Sequence, residues 1–154
     1  MSTDIYSDLR MQSYVVTQLH MDVDPARQLD ASEGSLSLDF DVRRKPDTDD
    51  DFLLELTVSV NSDDDDYETH GFRFVFGIAG FFDVAPLKET HPDSWYSLML
   101  NNGLSILYGV ARVQIDGLSS VAPMGRFMLP CVNMQEFLTA HFSELGGAAI
   151  VAEE

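Results

Sequence analysis

The chain has 154 residues and 17.2 kDa, the size of one ordinary domain. Hydrophobic residues are 45% and charged residues 23%, a globular rather than a disordered composition. Nine Lys and Arg against 26 Asp and Glu leave a net charge of −17, which argues against nucleic acid or an anionic membrane surface as partner, because both need a positive footprint.

No apolar run reaches the ~18 residues of a membrane-spanning helix, so no membrane insertion is expected. The N-terminal MSTDIYSDLR shows no basic-then-apolar signal pattern. Cys131 is the single cysteine, so intrachain disulfides are impossible. The expectation is a soluble cytoplasmic protein, one domain over 1–154, with 1–12 and 146–154 as flexible tails.

The acid is unevenly placed. Residues 1–80 hold 18 acidic and 6 basic side chains, and residues 81–154 hold 8 and 3. The runs Asp47 to Asp51 and Asp63 to Asp66 each lie between alternating segments and read as loops between strands.

In chain order, Tyr14 to Val23 is the weakest strand candidate. Leu36, Leu38, Phe40 and Val42 then alternate with Ser37, Asp39 and Asp41, giving a strand with one buried face and one wet, acidic face. Leu54, Leu56, Val58 and Val60 alternate in the same way with Glu55, Thr57 and Ser59. Phe72, Phe74, Phe76 and Ile78 alternate with Arg73, Val75 and Gly77. Four strands joined by polar loops predict an antiparallel meander.

After Pro86 the period changes. His91 to Leu100 fits a short helix or an irregular stretch, broken at Asn101, Asn102 and Gly103. Leu104 to Val121 reads as a long helix stopped by Pro123. One of its stripes holds Leu104, Leu107, Tyr108, Ala111, Ile115 and Leu118. A second holds Ile106, Val110, Val113 and Gly117, about 150° away at 3.6 residues per turn. Ser105, Arg112, Asp116 and Ser119 form the polar face between them. The first stripe can cover the chain's own sheet. The second needs either a third layer from the same chain or, as we read it, an oligomer contact. Asn133 with Glu136 is a capping box for a last helix with Phe137, Leu138 and Phe142 on its apolar face, ended by Gly146 and Gly147. The fold class is thus α+β, a four-stranded antiparallel sheet with a long and a short helix on one face.

Residues with chemistry are scattered. His20, His70, His91 and His141 stand singly, without metal-ligand spacing. The aspartate runs lack the glycine and bidentate Glu of an EF-hand loop. No phosphate loop or nucleophile elbow occurs, and Cys131 has no basic neighbour. Neither enzymatic activity nor a cofactor is expected.

Three segments resemble the SecB family of export chaperones. Asn102-Gly103-Leu104-Ser105-Ile106-Leu107-Tyr108-Gly109-Val110-Ala111-Arg112 is similar to the family's first long helix. Leu129-Pro130-Cys131-Val132-Asn133-Met134-Gln135-Glu136-Phe137 is similar to the run leading into its final helix, and Gly80-Phe81-Phe82 to the end of its fourth strand. The likeness spans Tyr14 to Glu144. It implies a homotetramer, a dimer of dimers with long helices between dimers, matching the second stripe at Ile106, Val110, Val113 and Gly117. It also implies an activity: holding unfolded preproteins without ATP and passing them to SecA. Some relatives instead serve a dedicated partner, such as the antitoxin of a toxin-antitoxin system, which is the alternative reading.

Client-binding candidates are Leu36, Leu38 and Phe40 by the resemblance. Met124, Phe127 and Met128 join them as adaptable apolar residues around the interhelix connection, whereas neighbouring Met134 reads as core. Two departures from the family stand out. The crossover from Asp24 to Ser35 is shorter than is usual in the family and lacks the aromatic residue often found there. At the SecA-docking positions the acids of the first strand fall on Gln18 and Asp22, and the pair on the fourth falls on Arg73 and Val75, so only Asp22 keeps its charge.

Overall fold

The computed structural model describes residues 8–26, 34–121 and 125–144. It has four strands, β1 (Arg10–Val23), β2 (Leu36–Arg44), β3 (Asp51–Val60) and β4 (Phe72–Asp83), and four helices, α1 (Asp64–His70), α2 (Ala85–Thr90), α3 (Trp95–Ser119) and α4 (Met134–Glu144).

The sheet is antiparallel throughout, in the order β1-β4-β3-β2. The expected meander therefore holds for β2, β3 and β4. β1 departs from it, pairing with β4 at the far edge. The reason is the long connection from Val23 to Leu36, which can cross the sheet where a tight hairpin cannot. β1 already begins at Arg10, and Leu9 is buried. The N-terminal tail expected to reach residue 12 is thus in place by Leu9.

Alternation sets the two faces. Phe52, Leu54, Leu56, Val58 and Val60 of β3 and Phe72, Phe74, Phe76, Ile78 and Phe82 of β4 are buried on the inner face. α3 lies across β3 and β4 with Leu104, Leu107, Tyr108, Ala111 and Ile115 buried against them. Of the expected inner stripe only Leu118 is exposed. α4 reaches β2 through Phe137 and Phe142, whose rings stand edge-on to Phe40 at 6.2 and 6.3 Å.

Three stretches differ from the sequence reading. The acidic run from Asp63 is a helix start, because the Asp63 carboxylate accepts the Asp65 N–H at 2.9 Å and caps α1. Gly71, at φ 78°, closes α1 in the left-handed conformation. α3 begins at Trp95 and runs unbroken through Asn101-Asn102-Gly103. Gly103 lets the helix approach β3 closely: a Cβ at that position would lie 2.5 Å from Cδ1 of the fully buried Leu54, which would have to move. The glycine costs about 1 kcal/mol of helix propensity, which close helix-sheet packing offsets. The third stretch is α2, a short helix with Pro86 in its first turn.

The segment from Gly125 to Asn133 has no regular structure, yet α3 staples it along its length. Arg126 makes a bidentate pair with Asp116, Phe127 is held by Ser119, Arg112 Nε donates to Leu129 O at 3.1 Å, and Tyr108 Oη donates to Pro130 O at 2.7 Å. Arg112, Asp116 and Ser119 are three of the four residues read above as the polar face of the helix. α4 then starts as expected, with the Asn133 side chain accepting the Glu136 N–H at 3.1 Å. Its expected end at Gly146 and Gly147 lies outside the described residues.

Candidate functional site

Of the client-binding candidates, Leu36, Leu38 and Phe40 share the inner face of β2 and are half-buried. Phe40 sits among Phe137, His141 and Phe142, with its centroid 4.9 Å from His141. Phe127 is placed differently from the expectation. It is 7% exposed, packed against Phe72 and Phe74 with centroids 6.0 and 5.3 Å away, and so belongs to the core. Its successor Met128 points outward at 63% exposure. Met124 lies outside the described residues. Met134 is buried, as its core reading required.

The second stripe of α3 faces outward. Val113 is 71% exposed, Ile106 and Gly117 are exposed, and Val110 is half-buried against the core. A further apolar surface escaped the sequence reading. β1 is an edge strand with no further strand beside it among the described residues, and Tyr14, Val15, Val16 and Leu19 are all exposed on it, Leu19 at 52%. Tyr14, Val16 and Leu19 pair with Gly80, Ile78 and Phe76 and so look toward the helix side, while Val15 pairs with Ala79 on the outer face. The alternation is blurred because the register slips between Val16 and Gln18. An apolar edge strand is a template for pairing with another chain, and the unbroken Tyr14-Val15-Val16 run was the available signal.

The outer face gathers the polar residues. Asp39, Asp41 and Glu55 lie on β2 and β3, with Asp41 directly opposite Glu55. At the other end of the face Asp22 pairs with Arg73 and His20 with Val75, while Gln18 pairs with Gly77. The four positions expected to dock SecA, Gln18, Asp22, Arg73 and Val75, thus lie on neighbouring strands. The structure also neutralises the one that kept its charge: Arg73 Nε donates to Asp22 Oδ2 at 3.0 Å, and His20 Nε2 lies 3.0 Å from the same oxygen. Arg73 further reaches Asp64 of α1 at 3.1 Å and stacks over the Tyr67 ring at 4.7 Å. The Arg73 guanidinium first, and His20 second, hold the Asp22 carboxyl below the usual carboxylate range.

No group of three or more His, Cys, Asp or Glu suited to a metal occurs among the described residues, nor is any helix among them long and apolar enough to cross a membrane.

No protein-family model matches the sequence, and no curated protein matches it significantly. Among solved structures, the Mycobacterium tuberculosis Rv1957 SecB-like chaperone, in complex with a ChAD peptide from the Rv1956 HigA1 antitoxin, is similar with TM-score 0.56 and 16% identity. The match covers 80% of this chain and 87% of that one. A protein of unknown function from Streptococcus agalactiae gives TM-score 0.40 and 10% identity over 80% and 97% of the two chains. The first likeness defines the architecture: four antiparallel strands with helices in a SecB-like fold.

Proposed function

We propose that the chain is an ATP-independent holding chaperone, without enzymatic activity, that binds unfolded polypeptide in the cytoplasm. Its clients include preproteins kept ready for the SecA-driven Sec export pathway. The observation that carries this reading is apolar surface exposed in three places, on β1, on α3 and at Met128 in the segment before α4, in a chain of net charge −17. Contiguous apolar surface on a soluble protein marks binding sites, and a high net charge disfavours self-association.

Assembly and client binding divide this surface. The edge of β1 and the Ile106, Val113 and Gly117 side of α3 suit contacts between copies, building a dimer of dimers. Leu36, Leu38 and Phe40 with Met128 then remain for an extended apolar segment.

A second reading is a chaperone dedicated to one partner of the antitoxin type. The engagement of Asp22 by Arg73 favours it, since an acid already paired on the outer face attracts a basic delivery partner less. One experiment separates the readings: co-purification with identification of bound proteins by mass spectrometry. Many unrelated bound chains support the general chaperone, and one dominant partner supports the dedicated one. Failure to suppress aggregation of any denatured client at stoichiometric ratio, with or without a co-purified partner, removes the holding function.

A further inference from the structure

We propose that a cavity at the β2–β3 hairpin end of the outer sheet face binds an apolar carboxylate. Its floor is one cross-strand row: Arg43 lies opposite Leu53, and Leu53 opposite Phe81. Phe81 is 41% exposed although it sits on the inner strand β4. On the β1 side the register slips between Met11 and Ser13, which inserts Gln12 as an extra residue beside Phe81 and walls the floor. The hairpin closes the end, with the Lys45 N–H donating to Asp51 O at 2.9 Å. The volume, partly open to solvent, is about 380 Å³, at the small end of the range for ligand sites.

The walls are electrically at odds with the rest of the molecule. Arg43, Arg44 and Lys45 all line the cavity, three of the chain's 9 Lys and Arg, against one lining acid, Asp51. Arg44 is tied to Asp49 at 3.4 Å. Among the described residues Arg43 uses only Nε, on Asp41 at 2.9 Å, so its two terminal nitrogens can fork onto a carboxylate. The Lys45 ammonium makes no ion pair among the described residues. Leu53 and Phe81 accept an aliphatic or aromatic body, and Arg43 with Lys45 takes its single carboxylate. A chain terminus ending in a large apolar residue and a medium-length free acid share this chemistry. The site lies on the opposite sheet face from the surface proposed for clients and stands independently of that function.

The test is a titration of the 15N-labelled full chain with N-acetyl-phenylalanine and, separately, with its primary amide. The carboxylate should shift the backbone amides of Gln12, Leu53 and Phe81, and the amide should bind at least tenfold more weakly. The double variant Arg43→Ala, Lys45→Ala, with unchanged far-UV dichroism, should lose at least tenfold in affinity for the acid. Equal binding of acid and amide, or shifts confined to another surface, overturns the proposal without reliance on the variant. A hexapeptide ending in a free Leu-Phe carboxylate and decanoate then identify the source. The tighter binder at these residues names it, and binding of neither contradicts the site.

Discussion

Ser119 Oγ accepts the Phe127 N–H at 2.7 Å and donates to the Phe127 carbonyl at 3.1 Å, so one buried hydroxyl satisfies both backbone groups of the residue. This clamp turns Phe127 into the core and its neighbour Met128 out of it. Ser119→Ala strands both groups and should cost about 2 kcal/mol, a fall in melting temperature of roughly 4–8 °C. Phe127→Ala should cost about 3–5 kcal/mol as a core truncation. Met128→Ala should leave the urea midpoint unchanged. Equal destabilisation by Phe127→Ala and Met128→Ala would refute the inward and outward assignment.

Asn61 is the second polar hub of the core. It is fully buried at φ 54°, its side chain accepts the Ser35 N–H at 2.9 Å and donates to Phe72 O at 3.1 Å, and its own N–H donates to Ser35 O. It therefore ties the end of β3 to the return of the crossover and the start of β4. Asn61→Ala loses both side-chain bonds and adds left-handed strain, about 2–4 kcal/mol together. Asn61→Gly loses the bonds alone and should be the more stable of the two in urea unfolding.

The Asp22 carboxyl is held below its usual range chiefly by Arg73 and then by His20. A carboxylate whose folded pKa is depressed contributes stability above its unfolded pKa, near 4, and loses it as pH falls through the lower folded value. Wild type and Asp22→Asn should therefore differ slightly in unfolding midpoint at pH 7, the pair lying at the surface and open in part to solvent, and converge toward pH 2. The export reading adds a binding test. Arg73→Leu removes the guanidinium from Asp22 and Asp64, leaving Asp22 beside His20 alone, and should strengthen SecA binding; Asp22→Lys should weaken it, and both effects should shrink as salt rises.

Assembly through α3 and β1 predicts two separable mutants. Val113→Asp lies far enough out of the core to spare the fold, so it should convert tetramers to dimers by light scattering with the same melting profile at low concentration. Leu19→Asp on β1 should break the other contact. Val110 is a poorer test, because its half-buried side chain packs on the core and an Asp there destabilises the subunit directly. A wild-type monomer would contradict this assembly.

The strands β2 and β3 were legible because one face of each is buried and the other carries polar residues, which writes itself as alternation; β4, whose outer-face Gly77 and Ala79 are buried as well, was legible from the inner row Phe72, Phe74, Phe76 and Ile78. β1 was faint since its middle is exposed on both faces, Met11, Met21 and Val23 alone packing on the core, so Tyr14, Val15 and Val16 follow no period. α1 carries a full set of end signals, Asp63 as cap, three acids in the first turn, His70 in the last and Gly71 after it. It was missed because it buries nothing and has no apolar stripe. The start of α3 was hidden by Asn101-Asn102-Gly103, where packing on Leu54 overrides local propensity. The positions of the outer-face residues followed from alternation, but the pairing of Asp22 with Arg73 depends on β1 lying beside β4, which the crossover alone decides.

The most direct measurement of the central claim is site-specific photo-crosslinking to a permanently unfolded client, such as a reduced and carboxymethylated protein, in the presence and absence of ATP. A photoreactive residue replaces Met128 in one variant and Asp41 of the outer face in another. The account predicts stoichiometric crosslinking from position 128, indifferent to ATP, and none above background from position 41. Crosslinking from position 41 alone, from both positions equally, or from neither, would contradict it.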